Sequence, residues 1–331
     1  MSTKYGVTAI GNAIVDILAP ATDAFIDAQA AKGMQRNGMT LIDAARAAEL
    51  YSLMGPATEM SGGSAGNTMA AYASFGGKGA YIGKVADDKL GQVFRSDMQA
   101  IGVDFSTAPL KNADPTAQCM ILVTPDAHRT MNTFLGACVQ LSPADVDEDV
   151  IANSSITYLE GYLFDKPDAK DAFYAAADFV AKHGRKLALT LSDSFCVNRY
   201  REEFFNLIKN HVDILFANEA EIKSLFEVDT LEEAVAAIAP LCELTAITMS
   251  EKGSLIVSGT QTIKVNAIPP AQLVDTTGAG DAYAAGFMFG LTEGKPLSEC
   301  GMLASLAASE VISHMGPRPQ ASLKDMLRKA A

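Results

Sequence analysis

The apolar positions of this chain follow two different rhythms. After Pro143, short apolar runs at 156–159, 186–192, 212–217 and 245–249 alternate with stretches of helical period at 167–183, 197–210, 219–226 and 231–241. Continuous Val, Ile, Leu and Ala runs between amphipathic helices predict a parallel sheet buried on both faces. The first part of the chain opens similarly, with a strand over 5–11, a helix over 44–54 capped by Asp43, a helix over 69–75, a strand over 80–85 and a helix over 90–100. Residues 22–40 show no clear period, and Gly33 and Gly38 act as breakers. Between 103 and 134 the rhythm changes. Strands over 116–124 and 128–135 are joined by Pro125, Asp126 and Ala127 with no helix between them, which predicts a small sheet standing apart from the main body. Two short strands flank Gly259, and helices over 282–291, 297–314 and 322–329 close the chain. No linker-like tract interrupts residues 1–331, so one domain is expected.

Composition narrows the classes. With 331 residues, 49% of them hydrophobic, the chain has enough apolar surface for a large core. A net charge of −13 argues against a partner that tracks a nucleic-acid backbone, yet leaves room for a nucleotide bound by backbone N–H groups. Five cysteines without a CxxC pair read as reduced, buried thiols. The first ten residues lack a signal peptide's apolar core, and no apolar run approaches the roughly 20 residues of a membrane span. The expectation is a soluble cytoplasmic protein with no membrane partner.

The chemistry concentrates in Val274-Asp275-Thr276-Thr277-Gly278-Ala279-Gly280-Asp281-Ala282-Tyr283. An apolar run gives way to a small-residue turn and then to a helix. The first turn of a helix has N–H groups without intrahelical partners and carries the positive end of the dipole, so it attracts anions. Asp281 sits at that same end. Beside an anion a carboxylate is a poor helix cap, but it suits a general base next to a transferring phosphoryl group.

Other glycine-bearing stretches are less informative. Nothing supplies the Walker A pattern. The run from Gly77 to Gly83 has a residue too many for a dinucleotide fingerprint and enters a strand, not a helix. Gly278-Ala279-Gly280-Asp281 has strand–turn–helix context, but Tyr283 stands at the third fingerprint position, so a nicotinamide-dependent dehydrogenase is a weaker alternative.

Asp275-Thr276-Thr277-Gly278-Ala279-Gly280-Asp281 resembles the C-terminal signature of the ribokinase, or PfkB-type carbohydrate kinase, family. Gly62-Gly63-Ser64-Ala65-Gly66-Asn67, continuing through Gly76-Gly77 and Gly83-Lys84-Val85, resembles its N-terminal signature. Within the family, Gly11-Asn12-Ala13-Ile14-Val15-Asp16 and the stretch 61–67 are most similar to the adenosine kinase branch. The resemblance implies a ribokinase-like α/β fold: a three-layer sandwich with a mostly parallel central sheet and a small β-sheet lid. The lid would come from roughly 14–40 and 103–136.

It also implies roles. Asp281 matches the catalytic base, and Gly278, Ala279 and Gly280 the anion hole, with Thr276 beside the phosphates. Asn218 and Glu221 match an N-x-x-E element that binds ATP phosphate and holds Mg²⁺ through water; by itself this tetrapeptide reads more often as an acidic helix cap, and only the resemblance reverses that. Asp16 matches an acceptor for sugar hydroxyls, with Asn12, Gly63 and Asn67 beside it. Arg129 resembles a lid arginine that turns towards phosphates. Phe134, with Met131 and Leu135, would wall a purine base or simply fill the small sheet's own core. Asp275 and Thr277 resemble a potassium site. Residues 266–269 and 308–316, including His314, are candidates for the ATP adenine pocket by position in the fold.

The implied reaction is transfer of the ATP γ-phosphoryl group, with Mg²⁺ and with K⁺ as the activating ion that the Asp275–Thr277 resemblance suggests, to the 5′-hydroxyl of a purine nucleoside, giving AMP from adenosine. A PfkB-type sugar kinase acting on ribose or another furanose or hexose is the alternative within the class, and a non-catalytic nucleoside-binding regulator lies outside it. The partners are therefore ATP and a small nucleoside or sugar, not nucleic acid, with the chain a monomer or homodimer.

Overall fold

A computed structural model describes residues 3–126 and 128–330. In chain order its strands are β1 (Tyr5–Ile10), β2 (Ile14–Pro20), β3 (Met39–Leu41), β4 (Thr58–Ser61), β5 (Gly79–Ile82), β6 (Val103–Phe105) and β7 (Ala117–Val123). They continue with β8 (Arg129–Phe134), β9 (Ser154–Glu160), β10 (Lys186–Thr190), β11 (Ile214–Asn218), β12 (Leu244–Thr248), β13 (Ser254–Ser258) and β14 (Gln261–Val265). Nine of them form one sheet in the order β14-β13-β12-β11-β10-β9-β1-β5-β6. The strands from β12 to β6 in that order run parallel, and only β13 runs against them, antiparallel to both β12 and β14. Its Ile, Leu and Ala side chains are buried on both faces beneath helices, which explains why they read as unbroken apolar runs. This is the expected ribokinase-like α/β sandwich.

The chain winds outward in both directions from the β1–β9 pair: β5 and β6 add on one side, β10, β11 and β12 on the other. Such a switch point opens a crevice at the carboxyl ends of the strands. Asn12, Glu160, Thr190, Asn218 and Thr248 all lie at or just past those ends.

The second sheet has the order β3-β8-β7-β2-β4. Two strands differ from expectation. Val103–Phe105 pairs with β5 at the edge of the large sheet, because its apolar ends Val103 and Phe105 pack into the main core beside Tyr81 and Phe94. Thr58–Ser61, which shows no strand period, instead joins the small sheet beside β2. The small sheet's outer face is backed by helices Asp23–Ala30 and Ala44–Leu53 through Ile26, Ala47 and Leu50. The first of these lies where the sequence shows no period: among its apolar residues only Ile26 is fully buried, too little for a periodic signal, and Thr22 starts it by accepting from the Phe25 N–H. The single helix expected over 197–210 is two, Ser194–Arg199 and Arg201–His211, separated by Tyr200 with extended φ. The helix expected over 297–314 ends at Val311. Ala127, expected in the turn between β7 and β8, lies outside the described residues. All five cysteines are buried, and among the described residues no helix is long and apolar enough to cross a membrane.

Candidate active site

Between the two sheets lies a cleft of about 580 Å³, open to one side. Its small-sheet wall is set by strand parity. Ile14 and Asp16 of β2, Cys119 and Ile121 of β7, and Arg129, Met131 and Thr133 of β8 face the cleft, while Val15, Ile17, Met120, Leu122 and Phe134 face the opposite core. Phe134 is therefore not a wall of this cleft. It differs from Met131 by an odd number of residues, so the pleat turns it away, and its ring packs over Gly136. Met39, Ile121 and Met131 supply the apolar surface instead.

The glycine turn before helix Ser64–Ser74 brings the carboxylates together. Gly63 has φ +80, and a Cβ there would come 2.4 Å from the Asn12 carbonyl, so both conformation and space require glycine. Ser64 and Asn67 then point from the first turn of that helix at Asp281: Ser64 Oγ donates to Oδ1 at 2.6 Å and Asn67 Nδ2 to Oδ2 at 3.3 Å. Burial pushes Asp281 up to about 6, against those two hydrogen bonds and Arg318, although the residue keeps some surface open to the cleft. Asp16, 8% exposed, lies against Gly62. Burial also raises its carboxyl to about 6, Arg318 and Arg129 oppose this, and Asp281 adds to it.

Asn12, expected to face the sugar, is 3% exposed and lies behind the cleft. Its Nδ2 donates to Glu160 Oε1 at 2.9 Å, and the Ala65 N–H donates to Glu160 Oε2 at 2.8 Å, so the pair braces the glycine turn at the switch point. Burial pushes Glu160 up to about 7.

Helix Ala279–Thr292 starts at Gly278, whose φ is +80 and whose missing Cβ would fall 2.5 Å from the Pro317 carbonyl. A Cβ on Gly280 would meet nothing within 4 Å; the packing of the fold does not require that glycine, and the space opens into the cleft. The Ala279 N–H turns back to the Thr276 carbonyl at 3.2 Å, which removes it from the expected anion hole and leaves the N–H groups of the next residues, Gly280 and Asp281. Thr276 and Thr277 line the same rim.

Asp275 is engaged on both oxygens. Oδ1 accepts from the Thr277 N–H at 3.0 Å and hydroxyl at 2.7 Å, Oδ2 accepts from the Gly316 N–H at 3.1 Å, and Arg129 Nη2 pairs with Oδ2 at 3.0 Å. Burial opposes its charge, but these donors and Arg129 hold it below the usual carboxylate range. A guanidinium thus stands at the carboxylate expected to bind potassium. The Arg129 nitrogens are buried and, beyond this ion pair, make no hydrogen bond among the described residues.

Asn218 and Glu221 form a capping box: Asn218 Oδ1 accepts from the Glu221 N–H at 2.8 Å, while its N–H and Nδ2 donate to the Glu221 carboxylate at 2.9 and 2.6 Å. Both line the cleft, so the cap and the expected ATP-side element are the same pair. Burial pushes Glu221 up to about 7, Asn218 opposes this, and Asp193 adds to it. Among the described residues no cluster of three His, Cys, Asp or Glu side chains could cage a metal. A hydrated Mg²⁺ needs only one or two such ligands, and its charge would offset the Glu221–Asp193 repulsion. Residues 266–269 and His314 do not line the cleft, and His314 meets Glu310 at 3.2 Å.

Sequence reasoning missed Glu160 and Arg318. Glu160 had a signal, an acid closing an apolar strand run. Arg318, between Pro317 and Pro319, had none, because its partners Ser61 and Asn67 are remote in the chain.

The chain is 54% identical to a solved adenosine kinase from Sinorhizobium meliloti, with a TM-score of 0.90 over 99% of this chain and 100% of that one. It is 50% identical to a solved probable sugar kinase from Rhizobium etli, also at TM-score 0.90, over 99% of each chain. The adenosine kinase of Saccharomyces cerevisiae is 28% identical over 93% of this chain and 95% of its own length. The model of the pfkB family carbohydrate kinases matches residues 38–324. These matches remove the dehydrogenase alternative, and ATP with Mg²⁺ is the cofactor pair of the family. The chain belongs to the pfkB family of carbohydrate kinases.

Proposed function

We propose that this protein is an adenosine kinase, transferring the γ-phosphoryl group of ATP to the 5′-hydroxyl of adenosine. The observation that carries the choice of substrate is the apolar end of the cleft. Asp16 can accept from ribose hydroxyls, and on the same face Met39, Ile121 and Met131 form a surface that a purine would cover and a free sugar would leave exposed. The 54% identity to the Sinorhizobium meliloti adenosine kinase supports the same reading.

In this reading Asp281 accepts the proton of the attacking hydroxyl, held by Ser64 and Asn67 so that one carboxylate lone pair faces the substrate. Its pKa near 6 leaves it ionised at neutral pH yet basic enough to take the proton. The Gly280 and Asp281 N–H groups stabilise charge on the transferring phosphoryl. Glu221 and Asn218 would hold Mg²⁺ through its waters, and the bound ion supplies positive charge for the ATP phosphates. Arg129 exchanges Asp275 for phosphate as the small sheet closes as a lid and excludes water.

ADP release with adenosine, inosine, guanosine, cytidine and ribose tests the assignment. Adenosine should give the highest kcat/KM. Turnover of ribose or another free sugar alone would instead establish the sugar-kinase reading, to which the Rhizobium etli relative points.

A further inference from the structure

Residues 316–318 form a strap across the site, joining three pieces that are far apart in sequence. The Gly316 N–H donates to Asp275, Pro317 packs against Gly278, and Arg318 reaches the glycine turn. Arg318 Nε donates to Asn67 Oδ1 at 3.0 Å and Nη1 donates to Ser61 Oγ at 2.8 Å, while Nη2 is buried beside Gly66 without a partner among the described residues.

Asn67 is the link to the chemistry. An amide carries donors on one end and an acceptor on the other, and its neighbours decide which end faces which. A guanidinium only donates and an ionised carboxylate only accepts. The arrangement found here satisfies both, with Oδ1 on Arg318 and Nδ2 on Asp281. Reversed, it would set N–H against N–H and oxygen against carboxylate oxygen.

We infer that Arg318 is a positioning residue for Asp281: it locks the Asn67 amide so that its NH₂ donates to the carboxylate that takes the substrate proton. This rests on the proposed role of Asp281 as base. Without Arg318, Asp281 loses a fixed donor and a nearby positive charge in a site where other charges oppose it. The titratable and charged groups around Asp281 are Asp16 on β2, Tyr158 and Glu160 on β9, Tyr162 beyond β9, and Arg318 on the strap. Arg318 itself also faces Asp97 and Tyr81, and Arg129 faces Asp16. Arg318 is therefore the cation acting on both buried aspartates.

The test compares pH profiles of kcat/KM for the wild type, Arg318→Met, Arg318→Lys and Asn67→Ala, with the Asp281 carboxyl ¹³C shift titrated in each. Arg318→Met should move the acid limb and the Asp281 titration up by about one pH unit, with kcat recovering above the limb. Arg318→Lys should restore much of that shift. In an Asn67→Ala background, Arg318→Met should add only its smaller charge effect. A uniform loss of kcat with an unmoved limb and titration would overturn the inference and leave Arg318 a structural strap. Should Arg318→Met not fold, Arg318→Lys and Asn67→Ala decide: an Asp281 titration unchanged in both overturns it. If the wild type phosphorylates none of the nucleosides or sugars, the reading of Asp281 as base fails, while the ¹³C titration still decides whether Arg318 controls that carboxylate.

Discussion

Asp281 shows at the scale of one residue how function and stability pull apart. Its carboxylate is kept ionised in surroundings that resist charge, so replacing it with a neutral isostere should help folding and stop chemistry. Asp281→Asn can keep both neighbours, since the Ser64 hydroxyl can rotate to accept from the new NH₂ while Asn67 still donates to the remaining oxygen. We expect kcat to fall about 10²–10⁴-fold in a coupled ADP-release assay. Chemical denaturation at pH 8 should show a gain of about 1–2 kcal/mol. Unchanged kcat would remove Asp281 from the base role. Asp16→Asn should behave differently: its proposed partners are ribose hydroxyls away from the reacting atom, so KM for adenosine should rise well before kcat changes, as measured by steady-state kinetics.

At the scale of an element, helix Ala279–Thr292 separates two glycines that look equivalent in the sequence. Gly278 is held by the fold, through positive φ and contact with Pro317; Gly278→Ala should lower the melting temperature measurably, by about 1–3 kcal/mol in stability. Gly280 has helical φ and open space around it, so Gly280→Ala should leave the melting temperature level or slightly higher. Its methyl group would occupy the space proposed for the phosphoryl, and kcat should drop about 10²-fold. Similar losses of stability in both variants would mean that the open space at Gly280 is not kept for a ligand.

At the scale of the whole molecule, four carboxyls among the described residues are raised chiefly by burial: Asp16 and Asp281 to about 6, Glu160 and Glu221 to about 7. For such groups the folded state holds protons that the unfolded chain has already released. Their contribution to stability is complete below about pH 4 and is lost as the pH rises through 6 to 7. Scanning calorimetry should therefore give a higher melting temperature at pH 6 than at pH 8, and Asp281→Asn should narrow that difference. A melting temperature higher at pH 8 would contradict the burial of these charges. Asp16, Glu221 and Asp281 line the cleft between the two sheets and Glu160 stands behind it at the switch point, so the cost is concentrated around the cleft.

The sequence alone determined the parts whose physics is local. Apolar runs spaced by helical periods specified the parallel sheet, because strands buried on both faces have no polar side to show. Contiguous motifs around Gly63 and Gly278 pointed to two turns and Asp281, and the separate tetrapeptide at 218–221 pointed to the Asn218–Glu221 box. Tertiary structure decided whatever depended on parity or on remote partners. Strand pleat turned Phe134 away from the cleft and Met131 into it. Edge pairing moved Val103–Phe105 to the large sheet and brought Thr58–Ser61 into the small one. The orientation of the Asn67 amide, the Arg129–Asp275 pair and the reach of Arg318 to Asn67 join groups with no relation along the chain, and only the packed fold sets the distances at which their charges act.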